Sequence, residues 1–111
     1  MRLSSDKIIL ELLPEFVSDW LHDIETEFVE ILVHQDQSRL YRFGHTLKGS
    51  CLQFGLEEPA ELGVVLMELS ETENWGVAHL MQEPLRACFV NIKKMLQTQG
   101  LKQTMFLNEP F

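Results

Sequence analysis

Apolar residues along the chain recur every three or four positions, which is the period of an α-helix that buries one face. No stretch alternates cleanly between apolar and polar residues as a half-buried strand does, and no Asn-Gly or Asp-Gly pair marks a hairpin turn. The pattern therefore predicts an all-α chain.

The first third of the chain is predicted to hold two helices. A short one over 5–13 follows a Ser5 or Asp6 N-cap and ends at Pro14, because the apolar positions change register there. The second takes Pro14 in its first turn, where the missing N–H costs nothing, and runs to about His34.

Two helices with clear end signals follow. Asp36 is the predicted N-cap of the third helix, and Gly55 is predicted to end it. The fourth runs from Glu57 to about Glu71 and carries carboxylates in its first turn, where the helix dipole favours negative charge.

The last predicted helix spans 76–99 after an Asn74 cap. Pro84 lies inside it and predicts a bend, and Gly100 predicts its end. Residues 100–111 follow no helical period and are predicted to form a tail that is loosely docked or binds a partner.

Together these elements predict an antiparallel up-down-up-down four-helix bundle, because long amphipathic helices with short connections pack beside their chain neighbours. The predicted domain spans 1–99, with the bundle in 14–99 and the short helix over 5–13 capping one end. The predicted core is one stripe per helix: Val17, Trp20, Leu21, Ile24, Phe28, Ile31 and Leu32; Leu40, Phe43, Gly44, Leu47, Cys51 and Phe54; Leu62, Val65, Leu66 and Leu69; and Val77, Met81, Leu85, Cys88, Ile92 and Met95.

Composition limits the function classes. Lys and Arg number 9 against 17 Asp and Glu, giving a net charge of −8, so a nucleic-acid partner is not expected. No apolar run approaches the ~20 residues that cross a bilayer, and the N-terminus lacks the pattern of a signal peptide. Cys51 and Cys88 lack C-x-x-C spacing and are predicted to be reduced thiols of a cytoplasmic protein.

One histidine of the third helix lies away from the buried stripe. His45 falls about 140° around the helix axis from Leu40 and is predicted to face water. Its helical neighbours include Tyr41, Lys48 and Gly49. A glycine in an exposed helix interior costs about 1 kcal/mol relative to alanine, so this one indicates clearance for an approaching body. A lone exposed histidine on a helix is otherwise a solvated polar residue.

Residues 44–55, Gly-His-Thr-Leu-Lys-Gly-Ser-Cys-Leu-Gln-Phe-Gly, resemble the signature of histidine-containing phosphotransfer (HPt) domains. In that signature a small residue precedes H-x-L-K-G-S, a second small residue follows, and a hydrophobic-glycine pair ends the run. The resemblance extends more weakly over 14–99 and includes the pair Leu62-Gly63. It implies a phosphocarrier of a two-component phosphorelay, without autonomous kinase activity.

By this resemblance His45 is the phosphoacceptor, taking a phosphoryl group from a receiver-domain aspartyl phosphate and passing it to another receiver domain. An exposed imidazole can offer a ring-nitrogen lone pair for in-line attack. Lys48 would stabilise charge on the phosphoryl oxygens, and Gly49 would admit the partner's loops. Ser50 would bond locally or keep the helix face small.

The expected partner is the receiver domain of a response regulator or of a hybrid histidine kinase. Tyr41, Arg42, Leu52 and Gln53 are the predicted docking residues, and Phe16 and Val29 are further candidates. The Mg²⁺ is expected on the receiver, so this chain is predicted to hold no metal or cofactor and to act as a monomer. The chain departs from many HPt domains where a polar side chain of the next helix nears the histidine, since that region offers Val65, Leu66 and Met67.

Two alternatives of other classes stay open. One is a regulator that docks a receiver domain or a histidine kinase without carrying phosphate. The other is a structural bundle that self-associates through the apolar tail 101–111. No Ser-His-Asp group, Walker loop or G-x-G-x-x-G indicates an autonomous enzyme.

Overall fold

A computed structural model describes the backbone of residues 7–107 and the side chains of residues 11–98. The all-α prediction is confirmed for this part of the chain, which contains no strand. The helices are α1 (Lys7–Glu25), α2 (Glu27–His34), α3 (Gln37–Gln53), α4 (Glu57–Glu71), α5 (Trp75–Leu80) and α6 (Gln82–Leu107).

Pro14 lies inside α1, so the predicted end of a short capping helix at this residue is wrong. Leu13 and Val17 are both fully buried on one face of the continuous helix. Burying side chains of this size stabilises by about 1.5–3 kcal/mol each, which offsets the cost of about 3 kcal/mol for an interior proline. Pro14 itself is exposed. The predicted cap at Ser5 or Asp6 lies outside the described residues.

Thr26 divides the single helix predicted from Pro14 to His34 into α1 and α2. Its hydroxyl donates a 2.8 Å hydrogen bond to the carbonyl of His22, a back-bond that distorts helices. The amide of Thr26 donates to the same carbonyl at 3.0 Å, and the amide of Glu30 donates to the Thr26 carbonyl at 3.1 Å. The two helices therefore continue one another around a local distortion.

The predicted caps of the third and fifth helices are confirmed. A carboxylate oxygen of Asp36 accepts a 3.1 Å hydrogen bond from the amide of Arg39 in the first turn of α3. The side-chain oxygen of Asn74 accepts a 3.2 Å bond from the amide of Val77 in α5. After α3 the chain turns through Gly55, whose φ of 73° favours glycine.

The helix predicted over 76–99 is broken at Met81, between α5 and α6. Pro84 accounts for the break, because its ring clashes with the carbonyl four residues earlier, that of Leu80. In the first turn of α6 its missing N–H has no intrahelical partner to lose. The predicted end at Gly100 is wrong, since α6 continues to Leu107. The predicted docking of the tail 100–111 depends on side chains that lie outside the described residues.

Apolar side chains of α1, α2, α3 and α6 build most of the core. Every predicted core residue of these helices is at least half-buried. Those that are buried are Val17, Trp20, Ile24, Phe28, Ile31, Leu32, Leu40, Phe43, Gly44, Leu47, Cys51, Leu85, Cys88 and Ile92. In α5, Val77 is 40% exposed and its neighbour Ala78 is buried instead, which corrects the prediction for that residue.

The buried face of α4 differs from the predicted leucine-rich stripe. Leu62, Val65 and Leu69 are only half-buried. The residues of α4 that are buried are mostly small: Pro59, Ala60, Gly63, Leu66 and Ser70. This face suits a close helix neighbour, and α4 packs most extensively against α3.

Other contacts close the bundle. α1 packs against α6, and α2 packs against α3. Arg86 of α6 donates hydrogen bonds to Glu25 at the end of α1 and to Glu83. The bond from Arg86 lowers the pKa of Glu25 below its ordinary value. Within the described part, no helix has the length and apolarity that a bilayer crossing requires.

Candidate functional site

The candidate site lies in the middle of α3, on the side away from the core. His45 is exposed there, as its angle around the helix predicts. The residues that precede and follow it at core positions, Phe43 and Leu47, are buried. The helix is thus fixed from below while the imidazole remains accessible from solvent.

Gly44 brings α4 directly against the backbone that carries His45. A Cβ on Gly44 would lie 2.6 Å from the carbonyl oxygen of Gly63. Conversely, a Cβ on Gly63 would lie 2.6 Å from the Gly44 carbonyl oxygen and 2.8 Å from the Lys48 amide nitrogen. Real Cβ atoms essentially never come this close to backbone atoms. The two glycines therefore let α3 and α4 touch backbone to backbone beneath the exposed histidine.

This contact is the feature that sequence reasoning missed. Gly44 is identified as a core position from the sequence, but no partner is assigned to it there, and Gly63 enters only through the resemblance. The signal that points to the contact is the spacing of small residues on α4, where Ala60 precedes Gly63 by three positions. Small residues at this spacing mark a face that admits a neighbouring backbone.

Lys48 follows His45 by three residues, where side chains on a helix are neighbours at about 5–6 Å between Cβ atoms. It is half-buried, and its Cβ lies 3.2 Å from where a Cβ on Gly63 would be. The start of its side chain therefore lies along α4, and such a chain extends to carry its ammonium group to water. Within residues 11–98 no carboxylate forms an ion pair with Lys48, so its charge is available to an incoming anion.

Gly49 is exposed in the middle of α3, and a Cβ built on it would meet nothing within 4 Å. No packing within the described part of the chain requires a glycine there, in contrast to Gly44 and Gly63. The helix bears the cost of about 1 kcal/mol relative to alanine without a gain in packing. The clearance predicted from the sequence is present.

Tyr41, one turn before His45, lies beside the imidazole. The ring centroids are 6.3 Å apart and the planes differ by 8°, so the rings are parallel and offset. Tyr41 is 38% exposed. Within residues 11–98 no side-chain hydrogen bond reaches the imidazole, and its aromatic neighbour is Tyr41.

The other predicted docking residues lie on the same side of α3. Arg42 and Gln53 are exposed, and Leu52 is 52% exposed. Phe16 is a different case, because it is half-buried and stacks on Phe54 with centroids 4.1 Å apart. It packs against another side chain of the protein, and its assignment as a docking candidate stays a prediction.

A groove of about 540 Å³ runs beside this surface, between α3 and the junction of α1 and α2. Asp23 and Glu27 line it from one side, and Arg39 and Arg42 line it from α3. Arg39 approaches Glu27 at 3.9 Å and Glu30 at 3.6 Å. Arg42 has no ion pair within residues 11–98, so its charge, like that of Lys48, remains available.

On α4 the side chains nearest the site are apolar. Met67 is half-buried, and its Cγ lies 3.1 Å from the position of a Cβ on Gly44. The polar residues Gln53 of α3 and Glu68 of α4 are exposed, and neither hydrogen bonds to His45 in the described structure. The absence of a polar partner on α4 agrees with the sequence.

The two cysteines lie apart from this chemistry. Both are free and buried, and burial raises the pKa of each thiol to about 12. A thiol that stays protonated is a poor nucleophile and metal ligand. Within the described residues, no three side chains of His, Cys, Asp or Glu are grouped so that they could hold a metal ion.

Comparison of this chain with protein-family models, with curated proteins and with solved structures finds no match. The interpretation of the site therefore depends on its own geometry and on the sequence signature around His45.

Proposed function

We propose that this protein is a phosphocarrier of the HPt type, and that its helices form an antiparallel up-down bundle with His45 on its outer surface. The bundle is supported by short connections, since three residues separate α3 from α4 and leave room only for antiparallel neighbours. The observation that carries the proposal is the exposed His45 with two neighbours in the next turn of α3. One is Lys48, which has no ion pair within residues 11–98, and the other is Gly49, which leaves open space above the helix.

The proposed step transfers a phosphoryl group from a receiver-domain aspartyl phosphate. The lone pair of a ring nitrogen of His45 attacks phosphorus in line, and a nitrogen–phosphorus bond forms. The phosphorus–oxygen bond to the aspartate breaks, and the carboxylate leaves with the electron pair. Lys48 neutralises charge on the phosphoryl oxygens, which is most of what such a loose transition state requires. The Mg²⁺ belongs to the receiver in this proposal.

The distribution of charge supports an anionic partner. α3 contains three of the nine basic residues of the chain and none of its 17 acidic residues. Arg39 pairs with Glu27 and Glu30, so the basic strip consists of Arg42 and Lys48, on a protein with a net charge of −8. A strip of this kind steers an acidic surface, such as a carboxylate cluster with a phosphoryl group, towards His45 and away from the rest of the molecule.

Labelling of the full chain tests the proposal. Receiver domains encoded in the same genome are charged with acetyl phosphate and mixed with the protein. The wild type is expected to take up phosphate that is labile in acid and stable in alkali, and His45→Gln is expected to remain unlabelled. His34→Gln is the matched control, because His34 is also an exposed helical histidine. Labelling of His45→Gln overturns the proposal.

The same experiment separates the alternatives. If the protein is a docking regulator, the wild type and His45→Gln bind a receiver domain with the same affinity, and neither of the two takes up phosphate. Gly49→Gln distinguishes docking from chemistry, because a side chain placed in the open space above α3 is expected to prevent receiver binding without unfolding the bundle. If the protein is a structural bundle, it neither binds a receiver domain nor takes up phosphate, and its self-association is lost when residues 101–111 are removed.

A further inference from the structure

The parallel rings of Tyr41 and His45 follow from the geometry of one helix. Side chains on an α-helix lean towards its N-terminus, so the imidazole extends back over the turn that carries residue 41. Residues four apart face the same side, and the centroid separation of 6.3 Å with planes 8° apart is that of an offset aromatic pair. The side of the imidazole towards the N-terminus is therefore covered by an aromatic ring.

The opposite side of the imidazole is open. Gly49, four residues after His45, has no side chain, and a Cβ at this position would meet nothing within 4 Å. Towards α4, Gly63 also lacks a side chain, and Met67 cannot hydrogen bond strongly to an imidazole. Within residues 11–98, Tyr41 is thus the side chain that restrains the ring, and the approach along α3 is from the Gly49 side.

Tyr41 is itself positioned at the contact between two helices. It borders a hollow of about 360 Å³ that is also lined by Ser70 and Glu71 at the end of α4. The side chain of Gln37 crosses this seam and donates a 2.9 Å hydrogen bond to the carbonyl of Ser70. The first turn of α3, which precedes the tyrosine, is therefore joined to the end of α4.

We propose that Tyr41 is a positioning residue for phosphoryl transfer: its ring lies parallel to the imidazole of His45 and holds it in one orientation, which leaves the in-plane lone pair of a ring nitrogen accessible from solvent. This rests on the proposed function of His45. An exposed histidine on a helix has at least two χ1 orientations available. An aromatic neighbour biases such a choice by about two- to tenfold. Tyr41 thereby replaces the polar contact from the next helix that the sequence lacks.

Two variants separate the ring of Tyr41 from its hydroxyl group. Tyr41→Phe retains the aromatic ring, and Tyr41→Leu retains apolar bulk without it. Leu80→Ala is the control for loss of exposed apolar surface, since Leu80 is 72% exposed and lies on α5. Each full-length protein is examined in two ways: by NMR of the His45 ring protons without a partner, and by single-turnover transfer from a phosphorylated receiver domain over a range of receiver concentrations.

The expected pattern is specific to positioning. Tyr41→Leu moves the His45 ring-proton resonances and lowers the transfer rate at saturating receiver measurably, by at most about tenfold, whereas Tyr41→Phe and Leu80→Ala keep the wild-type rate. A rise in the half-saturating receiver concentration alone would make Tyr41 a docking contact and would overturn the proposal. So would a saturating rate unaffected by Tyr41→Leu, or a Tyr41→Phe rate as low as that of Tyr41→Leu.

Failure of the proposed function has a different signature. In that case neither the wild type nor any Tyr41 variant takes a phosphoryl group from a receiver domain. The NMR measurement still decides whether the ring of Tyr41 lies beside the imidazole, because it needs no partner and no phosphate. Unchanged His45 resonances in Tyr41→Leu would refute the positioning contact itself.

Discussion

The contact between Gly44 and Gly63 predicts that Gly→Ala substitutions at positions 49 and 63 have different effects on stability. In Gly63→Ala the new Cβ would lie 2.6 Å from the carbonyl oxygen of Gly44 and 2.8 Å from the amide nitrogen of Lys48. Both are backbone atoms and cannot turn aside, so α3 and α4 must separate by several tenths of an ångström. In Gly49→Ala the new Cβ meets nothing within 4 Å.

The magnitudes follow from general costs. Overpacking of a well-packed contact destabilises by about 1–3 kcal/mol, and alanine gains about 1 kcal/mol over glycine inside a helix. Gly49→Ala receives only the gain and is expected to stabilise the protein by about 1 kcal/mol. In Gly63→Ala the cost of overpacking and the gain of alanine over glycine both apply. Gly63→Ala is expected to be less stable than Gly49→Ala by about 1–3 kcal/mol.

Urea unfolding followed by circular dichroism measures both free energies. The double variant Gly44→Ala/Gly63→Ala adds a test of coupling between the two sites. Helices that are already separated by one methyl group accommodate the second at a lower cost in free energy. The destabilisation of the double variant is expected to be smaller than the sum of the two single effects. If Gly63→Ala stabilises the protein as much as Gly49→Ala does, the backbone contact is not present and the reasoning fails.

Four further predictions concern other residues. Lys48→Ala is expected to slow phosphoryl transfer at least tenfold at an unchanged unfolding midpoint, by a loss of charge stabilisation worth about 1.4 kcal/mol or more; an unchanged transfer rate removes its role. Asp36→Ala is expected to lower stability by about 1 kcal/mol in urea unfolding, through loss of the α3 cap. Arg86→Gln is expected to lower the melting temperature at neutral pH and to have less effect as the pH falls through the lowered pKa of Glu25, because a carboxylate with a depressed pKa stabilises the fold only while ionised. The two buried cysteines, with pKa values raised to about 12, are expected to resist a thiol reagent at pH 8 until the protein is unfolded, and rapid labelling of the native protein would contradict this.

Features set by one helix could be predicted from the sequence. The exposure of His45 depends only on its angle to the buried stripe, and the cap at Asp36 depends on one side chain and the next turn. The open space at Gly49 follows in the same way, since an exposed glycine inside a helix needs a reason. Each of these properties is decided within a few residues along the chain.

Features that depend on a second helix could not be predicted in the same way. Pro14 was expected to end a helix, but burial of Leu13 against the rest of the core outweighs the local penalty. The buried face of α4 was assigned by hydrophobicity, whereas close packing on α3 selects small residues such as Ala60 and Gly63. Tyr41 was a known helical neighbour of His45, but parallel rings depend on side-chain torsions that spacing does not specify.

The backbone contact at Gly44 and Gly63 places the requirements of folding and of recognition on opposite sides of α3. The inward side tolerates almost no change, since any added atom there meets the neighbouring main chain. The outward side, with Arg42, Leu52 and Gln53, bears little of the fold's stability and is free to vary. Under the proposed function, partner choice would therefore be open to redesign by surface substitutions on a single helix, with the scaffold beneath left as it is.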